Sequence, residues 1–293
     1  MSIVITELLK NTIAKKLNCN KEDLQLNSVS GGSINYTVKI SIKNKENYFI
    51  KINDAKKFPG LFLQEKSGLQ LLQKQNIFIV PNVIDNFEVD NKQILILEWI
   101  DSGNKTNDFW KHFGKQLAQL HFTSNENFGL ESDNYMGSVI QKNNQSKDWI
   151  YFFIHQRLQP LINECITKKL LTTSYIAKFE NLYKHLPSIY TIEKPSLLHG
   201  DLWSGNFICN HLNQPVLIDP AIYFGHRSVD LGMTTLFGGF EKQFYKSYQY
   251  HFPLPKNHKE QWQVSNLYPL LIHLLLFGKS YLSSIDSVLN TYQ

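Results

Sequence analysis

The chain is organised around one stretch, Leu197-Leu-His-Gly-Asp-Leu-Trp-Ser-Gly-Asn-Phe-Ile208. Its apolar start has the composition of a short buried strand, and the polar residues that follow are those that favour a loop. Asp201 and Asn206 lie in that loop, and Asp219 ends the next apolar run, which begins at Pro215. The order along the chain is therefore a carboxylate and an amide after the first apolar run, and a second carboxylate after the next one.

This ordered set suits phosphoryl transfer from a nucleotide. One carboxylate can accept the proton of an attacking hydroxyl, while an amide oxygen and a second carboxylate can hold divalent cations. Kinase catalytic loops share the spacing from Asp201 to Asn206. A surface turn with incidental acids is the alternative for Asp201 alone, because Asp, Asn, Ser and Gly all favour turns. The complete set, together with the upstream elements, favours the chemical interpretation.

Composition limits the classes that remain. The chain has 293 residues, of which 42% are hydrophobic and 19% charged, as in a globular protein with room for more than one lobe. The net charge of +5 is spread along the chain, so no basic arm for nucleic acid is indicated. The cysteines Cys19, Cys165 and Cys209 are far apart and odd in number. This usage argues against a disulfide framework and predicts a cytoplasmic protein.

Neither end of the chain predicts a membrane partner. The segment from Met1 to Leu17 is amphipathic and carries acids and lysines, unlike a signal peptide. The most apolar late run, Leu267 to Phe277, is shorter than the roughly 20 residues that cross a bilayer. Because it contains Pro269 and His273, a buried helix is the better interpretation.

Upstream, the pattern changes from helix to strands. Apolar residues at helical spacing between Ile5 and Leu17 predict an opening helix. Residues Tyr36 to Ile42 alternate like a strand, and the pair Gly31-Gly32 precedes them as a hairpin turn. The backbone of a glycine turn can approach phosphate closely, although most Gly-Gly turns are turns only.

A lysine inside an apolar strand is the second chemical signal. Lys51 lies within Tyr48-Phe-Ile-Lys-Ile52, and a buried lysine is costly unless it is paired or reaches a cleft. The helix predicted from Phe62 to Gln73 carries Glu65. A strand Lys paired with a helix Glu positions nucleotide phosphates in kinases. The alternative is an edge-strand Lys and an exposed Glu.

A change in pattern predicts the domain organisation. Strands are expected from Phe78 to Ile84 and from Gln93 to Ile100, and a breaker cluster begins at Asp101. We therefore place one domain at residues 1–101, a sheet with a helix, and a second at residues 102–293, which is mainly helical. In a kinase, the segment before the boundary holds the adenine edge.

Helical periods dominate the second domain. The predicted helices run from Asp108 to His121, Lys147 to Asn163, Tyr175 to Leu186 and Trp262 to Leu289. Between the first two, Asn125 to Ser146 is predicted to be a long loop, and such loops are often functional. Asp230 could cap the following helix or tie down the catalytic loop.

Longer motifs resemble the fructosamine kinase (ketosamine 3-kinase) family, a branch of the kinase-like fold that also holds aminoglycoside phosphotransferases and choline kinases. The HGDLWSGN version of the loop at 199–206 is far more specific than the general HGDxxxxN pattern. Further matches are Asp219-Pro-Ala-Ile-Tyr-Phe-Gly-His-Arg-Ser-Val-Asp-Leu231, Leu236-Phe-Gly-Gly-Phe240, Asn134-Tyr-x-Gly137, Asp148-Trp149 with Arg157-Leu158, and His273-x-x-Leu276-Phe-Gly278. The resemblance covers nearly the whole chain.

The resemblance implies an α+β, two-lobed protein-kinase-like fold with a small antiparallel-sheet N-lobe and a larger, mainly helical C-lobe. It implies that Asp201 is the catalytic base and that Asn206 and Asp219 bind Mg²⁺. It places ATP on Ser30, Gly31, Gly32, Ser33, Asn35, Lys51, Glu65, Glu98, Trp99 and Ile100. It assigns Trp203 and His199 to the substrate, a free or protein-bound ketosamine phosphorylated at its 3-hydroxyl, which leads to deglycation.

Alternatives remain at this stage. A choline- or aminoglycoside-type phosphotransferase would bind a cationic substrate with an acid-rich C-lobe, and this chain shows no dense acidic cluster there. A kinase-fold binding protein without turnover is disfavoured because Lys51, Glu65, Asp201, Asn206 and Asp219 are all present. The chain is expected to be a monomer or at most a weak dimer.

Overall fold

A computed structural model describes residues 5–29, 34–43 and 45–293. The chain folds as two compact units: unit 1 comprises Met1–Phe109 and Gly205–Pro220, and unit 2 comprises Trp110–Ser204 and Ala221–Gln293. The division near Asp101 stays a prediction. The contacts group residues 205–220 with unit 1, because Leu217 N donates to Ile79 O (3.0 Å) and Gly103 N donates to Cys209 O (2.7 Å).

The helices and strands alternate at first and become mainly helical later. The strands are β1 Leu24–Ser28, β2 Tyr36–Ile42, β3 Asn47–Asp54, β4 Val83–Val89, β5 Lys92–Glu98, β6 Asn134–Met136, β7 Val139–Gln141, β8 Ser196–Leu198, β9 Phe207–Cys209, β10 Pro215–Leu217 and β11 Tyr223–Gly225. The α-helices are α1 Glu7–Lys16, α2 Leu61–Lys74, α3 Asn107–Phe122, α4 Trp149–Phe152, α5 Gln159–Thr167, α6 Ser174–Ile189, α7 Ser228–Leu236, α8 Lys242–His251, α9 His258–Ser265, α10 Leu267–Phe277 and α11 Leu282–Leu289.

Unit 1 is built on an antiparallel sheet whose described strands follow the order β1-β2-β3-β5-β4. Alternation along β2 and β3 places Val38, Ile40, Ile50 and Ile52 in a core with residues of α1, as expected of strands with one buried face. Lys51 lies on the opposite face of β3, since side chains alternate along a strand. The helix predicted around Glu65 is α2.

One predicted strand of unit 1 is displaced. We expected a strand from Phe78 to Ile84, whereas β4 begins at Val83 and continues to Val89. Pro81 has no N–H for a sheet ladder. Before Pro81, Ile79 forms an isolated parallel bridge with Val216.

Unit 2 is mainly helical, and it contains a large hydrophobic cluster that includes Phe152, Phe179, Tyr223 and Leu271. The expected helix from Lys147 to Asn163 is interrupted: a π-helix, Phe153–Leu158, lies between α4 and α5. The expected loop from Asn125 to Ser146 contains the short hairpin β6–β7. The region from Trp262 to Leu289 is helical as expected and is divided among α9, α10 and α11. Gly278, with φ 90°, ends α10.

The described residues include no helix that is both long and apolar enough to cross a bilayer. This agrees with the interpretation of Leu267 to Phe277 as a buried helix, since that segment is the helix α10 of unit 2 and most of its residues are buried.

Buried histidine should make the fold sensitive to acid. His226 lies against the rings of Trp149 and Tyr190, with centroids 5.8 and 5.1 Å away, and burial lowers its pKa to about 4. Because the ordinary pKa is about 6.5, the unfolded chain binds more protons between these values, and stability falls as the pH drops through this window. Between about pH 7.5 and pH 5, the parent should lose about 2 kcal/mol more than His226→Gln.

Urea unfolding at the two pH values measures this difference, and carboxylates that titrate in both proteins cancel in the comparison. Equal losses in the parent and in His226→Gln would show that His226 does not carry the acid sensitivity.

Candidate active site

The phosphate-binding signal of the sequence becomes a charge cluster in unit 1. Lys51 Nζ donates to Glu65 Oε1 at 2.7 Å and to Asp219 Oδ1 at 2.6 Å. The Lys51 side chain is 2% exposed and that of Glu65 is 11% exposed, whereas Asp219 remains 39% exposed. One ammonium is thus held between two carboxylates, and the accessible carboxylate is the one expected to bind a cation.

The charges of this cluster support each other. Burial alone would lower the pKa of Lys51, but Asp219 and Glu65 outweigh burial and raise the pKa, so the ammonium stays charged. Burial raises the pKa of the Glu65 carboxyl to about 7, and the charge of Lys51 opposes that rise. One ammonium against two carboxylates leaves an excess of negative charge, which favours a divalent cation.

The two expected metal ligands lie at the same end of the hairpin β9–β10. Asn206 precedes β9 and is 6% exposed, and its backbone carbonyl accepts a hydrogen bond from Ile218 N at 3.1 Å. Asp219 follows with φ 53°, in the left-handed region that non-glycine residues seldom adopt. Backbone strain of this kind is typical of functional sites, where the surrounding structure maintains it.

An amide oxygen and a carboxylate fit Mg²⁺, which is bound through one or two carboxylates, waters and substrate phosphates. Within residues 5–29, 34–43 and 45–293, no group of three or more His, Cys, Asp or Glu side chains could hold a metal. Asn206 and Asp219 would therefore need phosphate oxygens to complete the coordination, as nucleotide kinases do.

The expected adenine segment is largely engaged within unit 1. Glu98 N donates to Asn82 O (2.9 Å) and Trp99 N donates to Asn47 O (3.3 Å). The Glu98 carboxylate accepts hydrogen bonds from the Asn82 backbone and side chain. The role of this segment at the adenine edge stays a prediction.

Most of the expected triphosphate turn lies outside the described residues, namely Ser30, Gly31, Gly32 and Ser33. Asn35 is described, and its Oδ1 accepts a hydrogen bond from Asn53 Nδ2 at 2.6 Å. Asn53 is 5% exposed and lies on β3. The strand that carries Lys51 therefore also holds the end of this turn.

The expected catalytic loop is fixed in unit 2 by Asp230. This carboxylate is fully buried and accepts hydrogen bonds from His199 N (2.8 Å) and Gly200 N (2.9 Å). Of the two roles left open by the sequence, tying down the loop is the one observed. Asp230 also lies 3.2 Å from His121 Nε2, and Tyr248 Oη lies 2.8 Å from His121 Nδ1.

This arrangement defines the state of His121. Burial lowers its pKa, so the ring is neutral at ordinary pH. A neutral ring has one donor, and the acceptor-only carboxylate of Asp230 requires that donor on Nε2, so Nδ1 accepts from the Tyr248 hydroxyl. No spacing rule could have found these three residues together, because His121 lies 109 positions before Asp230 and 127 before Tyr248.

The residues around Asp201 differ in exposure. His199 is fully buried, and its Nδ1 accepts a hydrogen bond from Asp201 N at 3.3 Å. It therefore orders the loop, and its place at the substrate stays a prediction. Trp203 is 37% exposed, and its ring meets Phe237 edge-on with a centroid distance of 6.0 Å. An exposed indole beside the loop is compatible with its expected contact with a sugar face.

Gly200 allows this loop to form. It has φ +83°, and a Cβ built on it would lie 1.9 Å from Ala221 O. Ala221 N donates to His199 O at 2.9 Å, so the two segments cannot separate without breaking a hydrogen bond. We expect Gly200→Ala to lower the free energy of unfolding by about 3 kcal/mol, of which about 1–2 kcal/mol is the cost of the left-handed backbone.

Gly60→Ala is the matched control, because Gly60 has a left-handed backbone with φ +72° and no atom within 4 Å of the built Cβ. It should lose only the backbone contribution. Urea unfolding of both variants separates the steric clash from the backbone cost, and equal losses would contradict the proposed packing against Ala221.

Comparisons with known proteins show the family of the chain. A family model described as fructosamine kinase matches residues 4–293. A protein named "Probable ketoamine kinase" from Vibrio parahaemolyticus is 37% identical over 89% of this chain and 90% of its own. "Protein-ribulosamine 3-kinase, chloroplastic" from Arabidopsis thaliana is 32% identical over 92% of this chain and 82% of its own.

Solved structures confirm the predicted α+β kinase-like fold. A crystal structure from Haemophilus somnus 129PT, of a protein named for fructosamine-3-kinase, has a TM-score of 0.86 at 25% identity and covers 97% of this chain and 96% of its own. An aminoglycoside 2'-phosphotransferase IIIa shares the fold alone, with a TM-score of 0.60 at 14% identity and coverage of 98% and 96%. The predicted enzyme class, a phosphotransferase with an alcohol group as acceptor, is confirmed by the named relatives. On its family-model match and its curated relatives, the chain belongs to the fructosamine kinase family.

Proposed function

We propose that the protein transfers the γ-phosphoryl group of ATP to the 3-hydroxyl of a ketosamine. The observation that carries this proposal is the buried ion pair from Lys51 to Glu65 and Asp219, in a chain whose relatives are named ketoamine and ribulosamine kinases. A binding protein without turnover has no need to bury an ammonium between two carboxylates, since such pairs contribute little net stability.

The step balances with these residues in their proposed roles. Asp201 accepts the proton of the 3-hydroxyl, whose oxygen forms a bond to the γ-phosphorus. The bond from that phosphorus to the β,γ-bridging oxygen breaks, and ADP leaves. Lys51 holds the phosphates, and Glu65 keeps Lys51 in place. Ile100 and the Ser30–Asn35 turn contact the nucleotide, and Trp203 stacks on the sugar.

Asn206 and Asp219 hold Mg²⁺ in this proposal. When bound, Mg²⁺ neutralises phosphate charge and aligns the β- and γ-phosphates for transfer. Asp219 is more exposed than Glu65, so it would be the carboxylate of this cluster that contacts the cation. The Lys51 ammonium, which lies in hydrogen-bond contact with Asp219, would also donate to phosphate oxygens.

The product explains the expected physiological outcome. A 3-phosphate on a ketosamine lies on the carbon next to the C2 carbonyl. Loss of a C1 proton gives a C1=C2 enaminol, whose electron pair moves to C2=C3 and expels inorganic phosphate from C3. Water then hydrolyses the imine left at C1, which releases the free amine and a 3-deoxy dicarbonyl sugar. Deglycation follows from this chemistry without a further enzyme. The same chemistry applies whether the amine belongs to a protein lysine or to a free amino acid, because the reacting atoms are all in the sugar and its C1–N bond.

A panel assay tests the proposal. ADP formation is measured with ATP, Mg²⁺ and a synthetic fructosamine or ribulosamine, in parallel with choline, an aminoglycoside, the free sugars and the free amines. We expect stimulation by the ketosamines alone. Stimulation by choline or the aminoglycoside would favour the runner-up phosphotransferase, and no stimulation by any acceptor would favour a binding protein.

A further inference from the structure

A short hairpin in unit 2 holds the backbone that follows Asp219. Two of the buried side chains of β6 and β7 are amides, Asn134 and Gln141. Asn134 Nδ2 donates to Ile222 O at 2.7 Å, and Gln141 Nε2 donates to Ala221 O at 3.0 Å. Two consecutive carbonyls are thus each bound by a buried amide, at a place where no regular sheet could supply donors.

Both amides are held in orientation by a buried polar cluster. Tyr268 Oη donates to Gln141 Oε1 at 2.9 Å, so the Gln141 amide group must face Ala221. Arg157 Nη2 donates to Asn143 Oδ1 at 2.7 Å, and Asn143 Nδ2 donates to Asn134 Oδ1 at 3.1 Å. Tyr268 thus orients the amide of Gln141, and Arg157 orients the amide of Asn134 through Asn143.

Arg157 makes the cluster costly. It is fully buried and lies 3.9 Å from the ring centroid of Tyr223. Its Nη1 donates to the backbone carbonyls of Lys142 and Gln156, and within the described residues its Nε has no hydrogen-bond partner. A buried guanidinium held by neutral oxygens, with one N–H unsatisfied, normally lowers stability, so packing alone does not account for this arrangement.

Through Ala221, the cluster contacts the expected catalytic loop. Ala221 N donates to His199 O, and Ala221 O occupies the space beside Gly200. A shift of Ala221 would therefore move the backbone immediately before Asp201. Asp230 fixes the same two residues through their N–H groups, so the loop is held from two sides.

We propose that the buried cluster of Asn134, Gln141, Asn143, Arg157 and Tyr268 is a positioning device that sets the location of Asp201 through Ala221. This inference rests on the proposed role of Asp201 as the base. The family-like motifs around Asn134 and Arg157 then have a function, although neither residue contacts a reacting atom.

Tyr268→Phe tests the device by removing one hydroxyl from a ring that stays buried. We expect kcat with a ketosamine to fall about tenfold while KM for MgATP stays within about twofold, because only the position of the base changes. Tyr190→Phe is the matched control, since it removes a buried hydroxyl bound to Ser265 and should leave kcat unchanged. On an Asp201→Asn background, Tyr268→Phe should have no further effect.

A second readout does not depend on activity. Hydrogen exchange of the Gly200 and Asp201 amides should accelerate about tenfold in Tyr268→Phe and in Gln141→Asn, but not in Tyr190→Phe. Unchanged exchange in both cluster variants overturns the inference, as do multiplicative effects of Tyr268→Phe and Asp201→Asn on kcat. A parent that transfers no phosphate to ketosamines removes the proposed function instead, and the exchange result still decides the positioning.

Discussion

Asp201→Asn is expected to lower kcat about 10³-fold while KM for MgATP stays within about twofold. The amide cannot accept the proton of the acceptor hydroxyl, and that proton moves only in the transition state. The backbone of the loop should remain in place, because Asp230 binds His199 and Gly200 through their N–H groups rather than through the Asp201 side chain. Steady-state kinetics with a ketosamine and a nucleotide-binding titration measure the two effects separately.

Asp286→Asn is the control for this change. Asp286 also lies in unit 2, where it accepts hydrogen bonds from Tyr175 and Lys178, and its replacement should leave kcat unchanged. Equal kcat for Asp201→Asn and the parent would remove Asp201 from its role as the base. A parallel loss of nucleotide affinity would instead indicate that Asp201 contributes to ground-state binding.

Lys51→Met is expected to lower both activity and stability. The ammonium offsets the charges of Glu65 and Asp219, and its removal leaves the largely buried Glu65 without a cation. We expect a loss of about 2–4 kcal/mol in the free energy of unfolding, below the value for a fully buried pair because Asp219 is partly exposed. The ratio kcat/KM should fall about 10³-fold, because the phosphates lose their fixed positive charge.

Two further variants separate these effects. Lys16→Met removes a surface lysine that pairs with Asp85 at 3.0 Å, and it should change stability by less than about 1 kcal/mol. Adding Glu65→Gln to Lys51→Met should recover part of the stability but none of the activity. Recovered activity in the double variant would contradict the phosphate-binding role of Lys51.

The elements that the sequence predicted well carry strong local signals. The unbroken apolar run before Glu98 became β5, and the alternation from Tyr36 to Ile42 became β2 with the same bounds. Lys51 was conspicuous because a charge within an apolar strand requires a partner, and its pairing with Glu65 was expected from kinase order. The pairing with Asp219 is an observation of the structure alone, since it joins positions 168 residues apart.

The elements that were missed depend on distant partners. Tying down the loop was one of two roles expected for Asp230, but its contact with His121, and the bond from His121 to Tyr248, join segments that no periodicity connects. The same holds for the amides of Asn134 and Gln141, which bind a backbone about eighty residues later. The spacing of apolar residues before α5 did not indicate that a π-helix interrupts the helix there. Polar clusters of this kind are recognised only when the topology brings their members together.

The central claim is that phosphate is transferred to the 3-hydroxyl of a ketosamine. The most direct measurement is phosphorus–proton correlated NMR of the product formed from ATP and a fructosamine labelled with ¹³C in the sugar. If the 3-hydroxyl is the acceptor, the phosphorus of the transferred phosphate couples to the proton on C3, and inorganic phosphate and the free amine are released afterwards. Phosphate on any other carbon, or on the amine, would contradict the claim.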